Sequence, residues 1–342
     1  MKMLISANDK SSSAAAAGGY NPGGLRALGI IKTVLRALLK AAVVIVCVVV
    51  VVFFIIRLVP GDPVKMILGE HSTPEAALKL RHQLGLDLPV WQQFVRFLHN
   101  LFVNGDTGNS IVYGVSTKSL IAQRVPVSLM LILMAIVISI IVSMLLAVAA
   151  ATHKDGVQDH LIRVLPTITL GMPVFWVGLL LILLFGVQLH LFPVGGVSAG
   201  AGGMLYSLIL PAITVALSQI PSLVRSLRAQ ILDVLESDFV VTLKAAGIPK
   251  NVILFKHVLR NSSIPTLMLL GVNVSYLIGG TLVVEQVFDI RGVGSLLFSS
   301  ISSRDFPVIQ GIALYCAVAV VIISFITEIA AYCLDPRLKG EK

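Results

Sequence analysis

The sequence predicts an all-α polytopic membrane protein with about six transmembrane helices, and three observations carry that reading. Of its 342 residues 56% are apolar and only 13% charged, with a mean hydropathy of +0.94, so lipid rather than water is the solvent for most of the chain. Apolar stretches near 38–58, 127–151, 164–187, 205–224, 264–285 and 308–334 each reach the roughly 20 residues a helix needs to cross a hydrocarbon core about 30 Å thick. Lys and Arg concentrate in alternate connections, as the retention of basic residues on the cytoplasmic side requires.

The same composition excludes several classes. Cys47, Cys316 and Cys333 lie inside long apolar runs with no spacing for a disulfide framework or a structural zinc site. The net charge of +9 is spread between hydrophobic runs without an aromatic-rich basic patch, which fits membrane topology and not nucleic acid. No H-E-x-x-H occurs, and Gly105-Asp106 lies outside the spans, so neither a zinc-protease site nor a paired intramembrane acid is expected. No catalytic or metal-binding residue is assigned.

In chain order, Met1–Gly24 is rich in Ser, Ala and Gly without an apolar core of its own, which predicts a disordered cytoplasmic tail over 1–32 and not a cleavable signal. The first span, 33–58, contains the unbroken Ala41–Ile56 run, too long for a strand. Both termini are then cytoplasmic, the tail 335–342 included. The two short outer loops hold only Arg291 and Arg304, whereas the basic residues of 59–126 fall in a long outer segment whose charges count little.

That outer segment is expected to carry short helices. Thr73-Pro74-Glu75 combines a cap, a proline at the first helical position and an early acid, and Gly85 closes the helix. A second helix opens at Asp87 and Pro89, with Trp91, Phe94, Leu98 and Leu101 on one stripe opposite Gln92, Arg96 and Asn100. The stripe has two readings, a resting face on the membrane surface or other helices, and a docking face for a partner. Pro60-Gly61-Asp62-Pro63 predicts a turn ending the first span.

Spans two to six form a core over 127–334, interrupted by a cytoplasmic loop, 225–263. In that loop Ser237 or Asp238 can cap a short helix, Gly247 ends it with a left-handed residue, and Pro249 starts the next. A helix this short is marginal alone and must be held by packing. Thr242, Ala245 and Ala246 leave a small-residue surface that a partner's groove can approach, while Lys244, Lys250 and Lys256 are equally suited to anionic headgroups. In the fifth span Gly271, Ser275 and Gly279 recur at four-residue intervals, a stripe that permits close helix packing. Thr281 and Asn273 supply polar groups on a neighbouring face. Glu285 lies near the outer end, where an acid must be paired or wet. It serves either a substrate's ammonium group or the adjacent turn, through backbone hydrogen bonds or Arg291 and Arg304. Glu328, four residues before Tyr332, reads as an interfacial acid.

The loop resembles that of the permease family of binding-protein-dependent ABC importers, in the dipeptide and oligopeptide (peptide/nickel) branch and of its first-permease type. There a helix with small residues is followed by glycine and, about 18 residues on, by a hydrophobic-proline pair, here Gly247 and Ile264-Pro265. Val241 and Leu243 depart from the general pattern, where an acid and an alanine are usual. Further similarity runs through Arg57–Pro63, Leu84–Asp87, Gln93-Phe94, Gly105–Ser110, Pro173–Trp176, Phe192–Gly196, Phe255–Asn261 and Leu334–Arg337. Phe288–Gly294 carries Arg291 where the family usually has proline.

The resemblance implies an ABC importer type I permease fold in a bacterial inner membrane. It implies a pathway shared with a second, distinct permease subunit, two ATP-binding subunits or domains below, and an extracytoplasmic solute-binding protein above. Asp238, Thr242, Ala245, Ala246, Gly247 and Lys250 would couple to the ATPase, and Gly271, Ser275, Gly279, Thr281 and Glu285 would lie along the pathway. The chain has no G-x-x-x-x-G-K-[ST], so ATP and Mg²⁺ belong to partners and this chain carries no cofactor. Peptide-branch relatives also carry nickel, sugars, haem and antibiotic peptides, leaving the solute open. The rival reading is an ion-coupled secondary transporter, compatible with the kink-forming Pro173, Pro211 and Pro221 but lacking the mid-membrane acids such proteins use.

Overall fold

A backbone in lipid must satisfy its own polar groups, and this chain does so with helices almost throughout. The computed structural model describes residues 22–58, 64, 68, 73–83 and 85–334. The expected tail before Pro22, the Pro60–Pro63 turn, the closing motif from Asp335 and the side chains of Ile264, Glu328 and Cys333 lie outside the described residues. Among the described residues no strand forms, and Asn109 and Ser116 make an isolated antiparallel bridge.

Helix α1 (Pro22–Leu58) begins ahead of the boundary expected at 33 and includes the apolar stretch Leu38–Phe54. In the outer segment, α2 (Pro74–Gln83) starts with Thr73 as cap, its hydroxyl accepting from Ala76 N at 3.3 Å, and ends at Gly85 with φ +66°. Helix α3 (Val90–His99) runs into a π-helical turn over Asn100–Asn104. Its Phe94, Leu98 and Leu101 pack with Phe97 against Val49 and Phe53 of α1, so this stripe rests on another helix. Trp91 departs from the stripe and stands 70% exposed.

The core is built on α4 (Thr117–Thr152), whose 36 residues span about 54 Å. Ala135, Ser139, Ser143, Ala147 and Ala151 are buried in one line at four-residue spacing. Small side chains there let α7 (Ala201–Leu217) and α8 (Ile220–Leu235) lie close along its length. Two of the expected spans are broken, each beside a proline that the sequence marks as kink-forming, Pro173 and Pro221. The third is divided into α5 (Val157–Leu170) and α6 (Val174–Leu181, continued by π-helical Ile182–Gln188), bent by 109° at Gly171-Met172-Pro173. The fourth is divided into α7 and α8 by a 58° bend at Ser218-Gln219. In each case the proline that follows the break has no N–H to give a preceding turn. Pro211, also a kink candidate, stays inside α7.

A short helix, α9 (Asp238–Ala245), is followed by a turn at Lys250–Val252, a π-helical segment at Ile253–Val258, and α10 (Leu259–Val287). The fifth span therefore begins before Ile264, and Pro265 sits inside it. Beyond it, a ten-residue helix, α11 (Val293–Ser302), occupies what the sequence reads as a short outer loop, and α12 (Phe306–Leu334) closes the chain. Among the described residues, helices α4, α10 and α12 are long and apolar enough to cross a membrane, the two bent pairs raise the number to five, and the apolar stretch Leu38–Phe54 of the expected first span is shorter.

The end of the bundle opposite α9 is fastened by Asp305, which precedes α12 and is fully buried. Its carboxylate accepts the Ser110 hydroxyl and the backbone N–H groups of Ile111 and Val112 at 3.1 and 3.3 Å. Thr107 Oγ1 donates to the Pro307 carbonyl and Tyr315 Oη to the Gly105 carbonyl, each at 2.8 Å. The Gly105–Ser110 motif is thus the strap that holds the outer segment onto the last span. Asp305→Ala leaves a buried hydroxyl and two N–H groups without an acceptor and is expected to cost about 3 kcal/mol. A lowered thermal unfolding midpoint of the detergent-solubilised protein checks this.

Candidate functional site

Helix α9 has eight residues, too few to persist in isolation. One face holds it: Val240 is fully buried and packs with Leu243 and Ile248 onto Ala147 and Ala151 of α4, Leu227 and Ile231 of α8, and Ile253 and Val258. Its start is set by Ser237 in the N-cap position, but the hydroxyl donates back to the Val234 carbonyl at 2.5 Å and does not cap. Asp238 in the first turn favours the positive end of the helix dipole instead. The end is a Schellman motif: Gly247 N donates to Lys244 O at 3.1 Å and Ile248 N to Leu243 O at 3.2 Å, with Gly247 at φ +77°. Leu243 and Ile248 supply the hydrophobic contact that accompanies this motif.

The opposite face is open. Asp238, Thr242, Lys244, Ala245, Ala246, Gly247 and Lys250 are exposed, and so are Phe239 and Val241. The six residues assigned to coupling therefore share one surface. Nothing lies within 4 Å of a Cβ built on Gly247, so the glycine is demanded by backbone conformation and not by crowding within this chain.

Beside this surface lies an ion pair that the sequence reading missed. Asp159, in the first turn of α5 and fully buried, accepts Arg228 Nε and Nη2 of α8, both at 2.6 Å, and the Asp155 N–H at 3.0 Å. The two-pronged geometry is the strongest form of such a pair. It ties the connection after α4 to the helix that leads into α9, and Lys154 adds an exposed bridge to Glu236 at 3.0 Å. Hydrogen bonding to Glu236 raises the Lys154 pKa. An acid in the first turn and an Arg on a distant helix give no local pattern, so only the tertiary structure reveals the partnership.

The residues proposed for the pathway separate. A Cβ on Gly271 would come within 2.2 Å of Thr327 of α12, so this glycine is a close-packing contact between α10 and α12. Ser275 is half-buried, whereas Gly279 is exposed with nothing within 4 Å of its Cβ position. It shares an open face of α10 with Val272 and Tyr276, which are 57% and 71% exposed. Thr281 is buried and donates to the Leu277 carbonyl. Asn273 Nδ2 is buried without a partner among the described residues. Glu285 is fully buried and accepts Ser128 Oγ at 2.5 Å, Gly294 N at 2.6 Å and Ser295 N at 3.3 Å. Its bonds run to α4 and to the start of α11, not into an open cavity.

Two family models match the chain. Residues 143–340 match the binding-protein-dependent transport system inner membrane component, and residues 30–131 match the N-terminal part of the membrane component of the same systems. The oligopeptide transport system permease protein AppB of Bacillus subtilis (strain 168) is 34% identical over 83% of this chain and 92% of its own length. The di/tripeptide transport system permease protein DppB of Pseudomonas aeruginosa (strain UCBPP-PA14) is 32% identical over 84% and 93%. The dipeptide transport system permease protein DppB of Lactococcus lactis subsp. cremoris (strain MG1363) is 30% identical over 83% and 91%.

Breaking the buried pair tests its place in the site. Arg228→Met leaves Asp159 with the longer contact to Arg163 Nε, 3.7 Å from Oδ1, as its remaining cation, and a loss of about 3 kcal/mol, the low end for breaking a buried pair, is expected. The thermal unfolding midpoint of the detergent-solubilised subunit should fall, and a double Asp159→Leu, Arg228→Met variant should recover much of that loss.

Proposed function

We infer that this chain, a multi-pass inner-membrane protein that belongs to the family of binding-protein-dependent transport system inner membrane components, is a permease subunit of an ABC importer for di- or oligopeptides or related small solutes. The peptide reading rests on the relatives, each of which carries a peptide transport system permease name. The observation that carries the mechanism is α9, held to the bundle by Val240, Leu243 and Ile248 while its small-residue face stays open.

In this reading the α9 end of the bundle is cytoplasmic and both termini lie on that side. A separate ATPase subunit, which binds the ATP and Mg²⁺, receives the α9 face in a groove. Thr242, Ala245 and Ala246 allow close approach, Asp238 and Lys250 offer charges at the two ends, and Gly247 lets the chain reverse tightly. A second permease, similar but distinct, completes the pathway, and the open face of α10 around Gly279 is the surface offered to it and to the solute. A solute-binding protein delivers cargo to the end that carries the Asp305 strap. Closure of two ATPases displaces α9, and the packed floor under it passes the movement to α4 and α8 as rigid bodies. The chain itself performs no hydrolysis. The fully buried acids among the described residues, Asp159, Glu285 and Asp305, sit at helix ends, which is not the mid-membrane placement that ion coupling uses.

Gly247→Val tests the docking role. The left-handed conformation costs a β-branched residue about 1–2 kcal/mol, too little to unfold the subunit. The variant should insert and assemble its bundle normally, yet lose peptide uptake and receptor-stimulated ATP hydrolysis in proteoliposomes. Uptake at the wild-type rate would refute the docking of α9.

A further inference from the structure

A helical path runs from the coupling surface to the far end of the molecule. Beyond Gly247 and Pro249 the chain is helical from Lys250 to Val287, about 57 Å at the α-helical rise. Near its far end sits Glu285. The carboxylate takes two backbone N–H groups from the first turn of α11, and the Ser128 hydroxyl that donates to it also accepts the Val293 N–H at 2.9 Å. Unpaired N–H groups and the positive end of a helix dipole are what a buried carboxylate needs when it has left water.

The approach is close enough to dictate sequence. A Cβ on Gly292 would lie 2.3 Å from the Glu285 carboxyl carbon, and one on Gly294 would lie 2.5 Å from Leu282 Cα. The connection is also short and strapped: Ile290 N donates to the Glu285 carbonyl at 2.8 Å, and Gly196 N donates to the Phe288 carbonyl at 2.9 Å. Helix α11 is too short to hold itself and packs on α4, α10 and α12.

We propose that Glu285 is a positioning residue that fastens α11 to the outer end of α10, so that displacement of α9 moves α11 with α10 and α11 opens and closes the outer mouth of the pathway. The proposal rests on the docking of α9 argued above and adds what that docking drives. Glu285 meets no solute in this scheme, and its carboxyl oxygens are taken up by Ser128 and the start of α11.

The test uses the complete transporter, with its second permease, ATPases and peptide-loaded receptor, in proteoliposomes. Cys47, Cys316 and Cys333 are replaced by Ser, and Ser299→Cys on the exposed side of α11 reports access of a membrane-impermeant maleimide from outside. With Glu285 present, labelling should differ between the nucleotide-free and vanadate-trapped states. In Glu285→Gln, receptor-stimulated ATP hydrolysis should persist while that difference disappears and peptide imported per ATP falls about tenfold, as loss of a charged buried hydrogen bond allows. If Glu285→Gln does not assemble, Glu285→Asp, which keeps the acid but shortens its reach to Gly294 N and Ser295 N, provides the comparison, with a change in the same direction expected. Labelling that still follows nucleotide state in the variant, with unchanged import per ATP, overturns the proposal. If labelling is independent of state with Glu285 present, while Gly247→Val abolishes stimulated hydrolysis, α11 is not moved and the docking of α9 stands. If Gly247→Val leaves hydrolysis and uptake intact, the docking reading itself fails, and this proposal with it.

Discussion

The constraint on which this architecture depends is that the helix ends and connections packed inside a membrane protein present N–H groups that no water can reach. Among the described residues, Asp159, Glu285 and Asp305 are the fully buried acids, and each accepts at least one backbone N–H at a connection or end of this kind. Asp159 serves the turn between α4 and α5, Glu285 the start of α11, and Asp305 the strap before α4. A buried carboxylate is costly alone, and an unpaired N–H in hydrocarbon is costly alone. Together they offset one another, and Arg228, on the helix that leads into α9, neutralises Asp159.

Between these fastened ends the bundle is stiff. The line of Ala and Ser along α4 brings α7 and α8 close over much of its length, and close-packed cores shift as units instead of deforming continuously. Compliance is concentrated elsewhere. Helix α9 is attached through three apolar side chains and one Schellman turn, and it joins α10 through a π-helical segment. Such segments recur at functional sites, where one extra residue per turn loosens the backbone ladder. A stiff bundle with one lightly attached helix is suited to receiving force at a defined point.

The stretches by which the chain resembles its family also acquire physical roles. Gly105–Ser110 is the strap on α12. Phe192–Gly196 meets Phe288, where a Cβ on Gly195 would lie 3.0 Å from the Phe288 carbonyl oxygen. Gly292 and Gly294 make room for Glu285. These segments are far apart in the chain and converge at one end of the bundle. Arg291, which departs from the family's proline, is exposed in the connection before α11, and that connection still closes onto Glu285.

The amino-acid sequence by itself determined the helical class, the long apolar spans, the α9–Gly247–Pro249 corner and the outer helices, because hydrophobic length, capping chemistry and left-handed glycine are local properties. It marked Pro173, Pro211 and Pro221 as kink candidates but not that the first and last break their spans while Pro211 stays inside a helix, since an apolar stretch of sufficient length reads the same straight or broken. Nor did it reveal α11, whose ten residues lack the length of a span. Only tertiary structure decided which partners the buried acids take: Arg228 is 69 residues from Asp159, Ser128 is 157 from Glu285, and Ser110 is 195 from Asp305. Helical periodicity carries no record of pairings at that distance, and they form only where packing brings the helix ends together and excludes water.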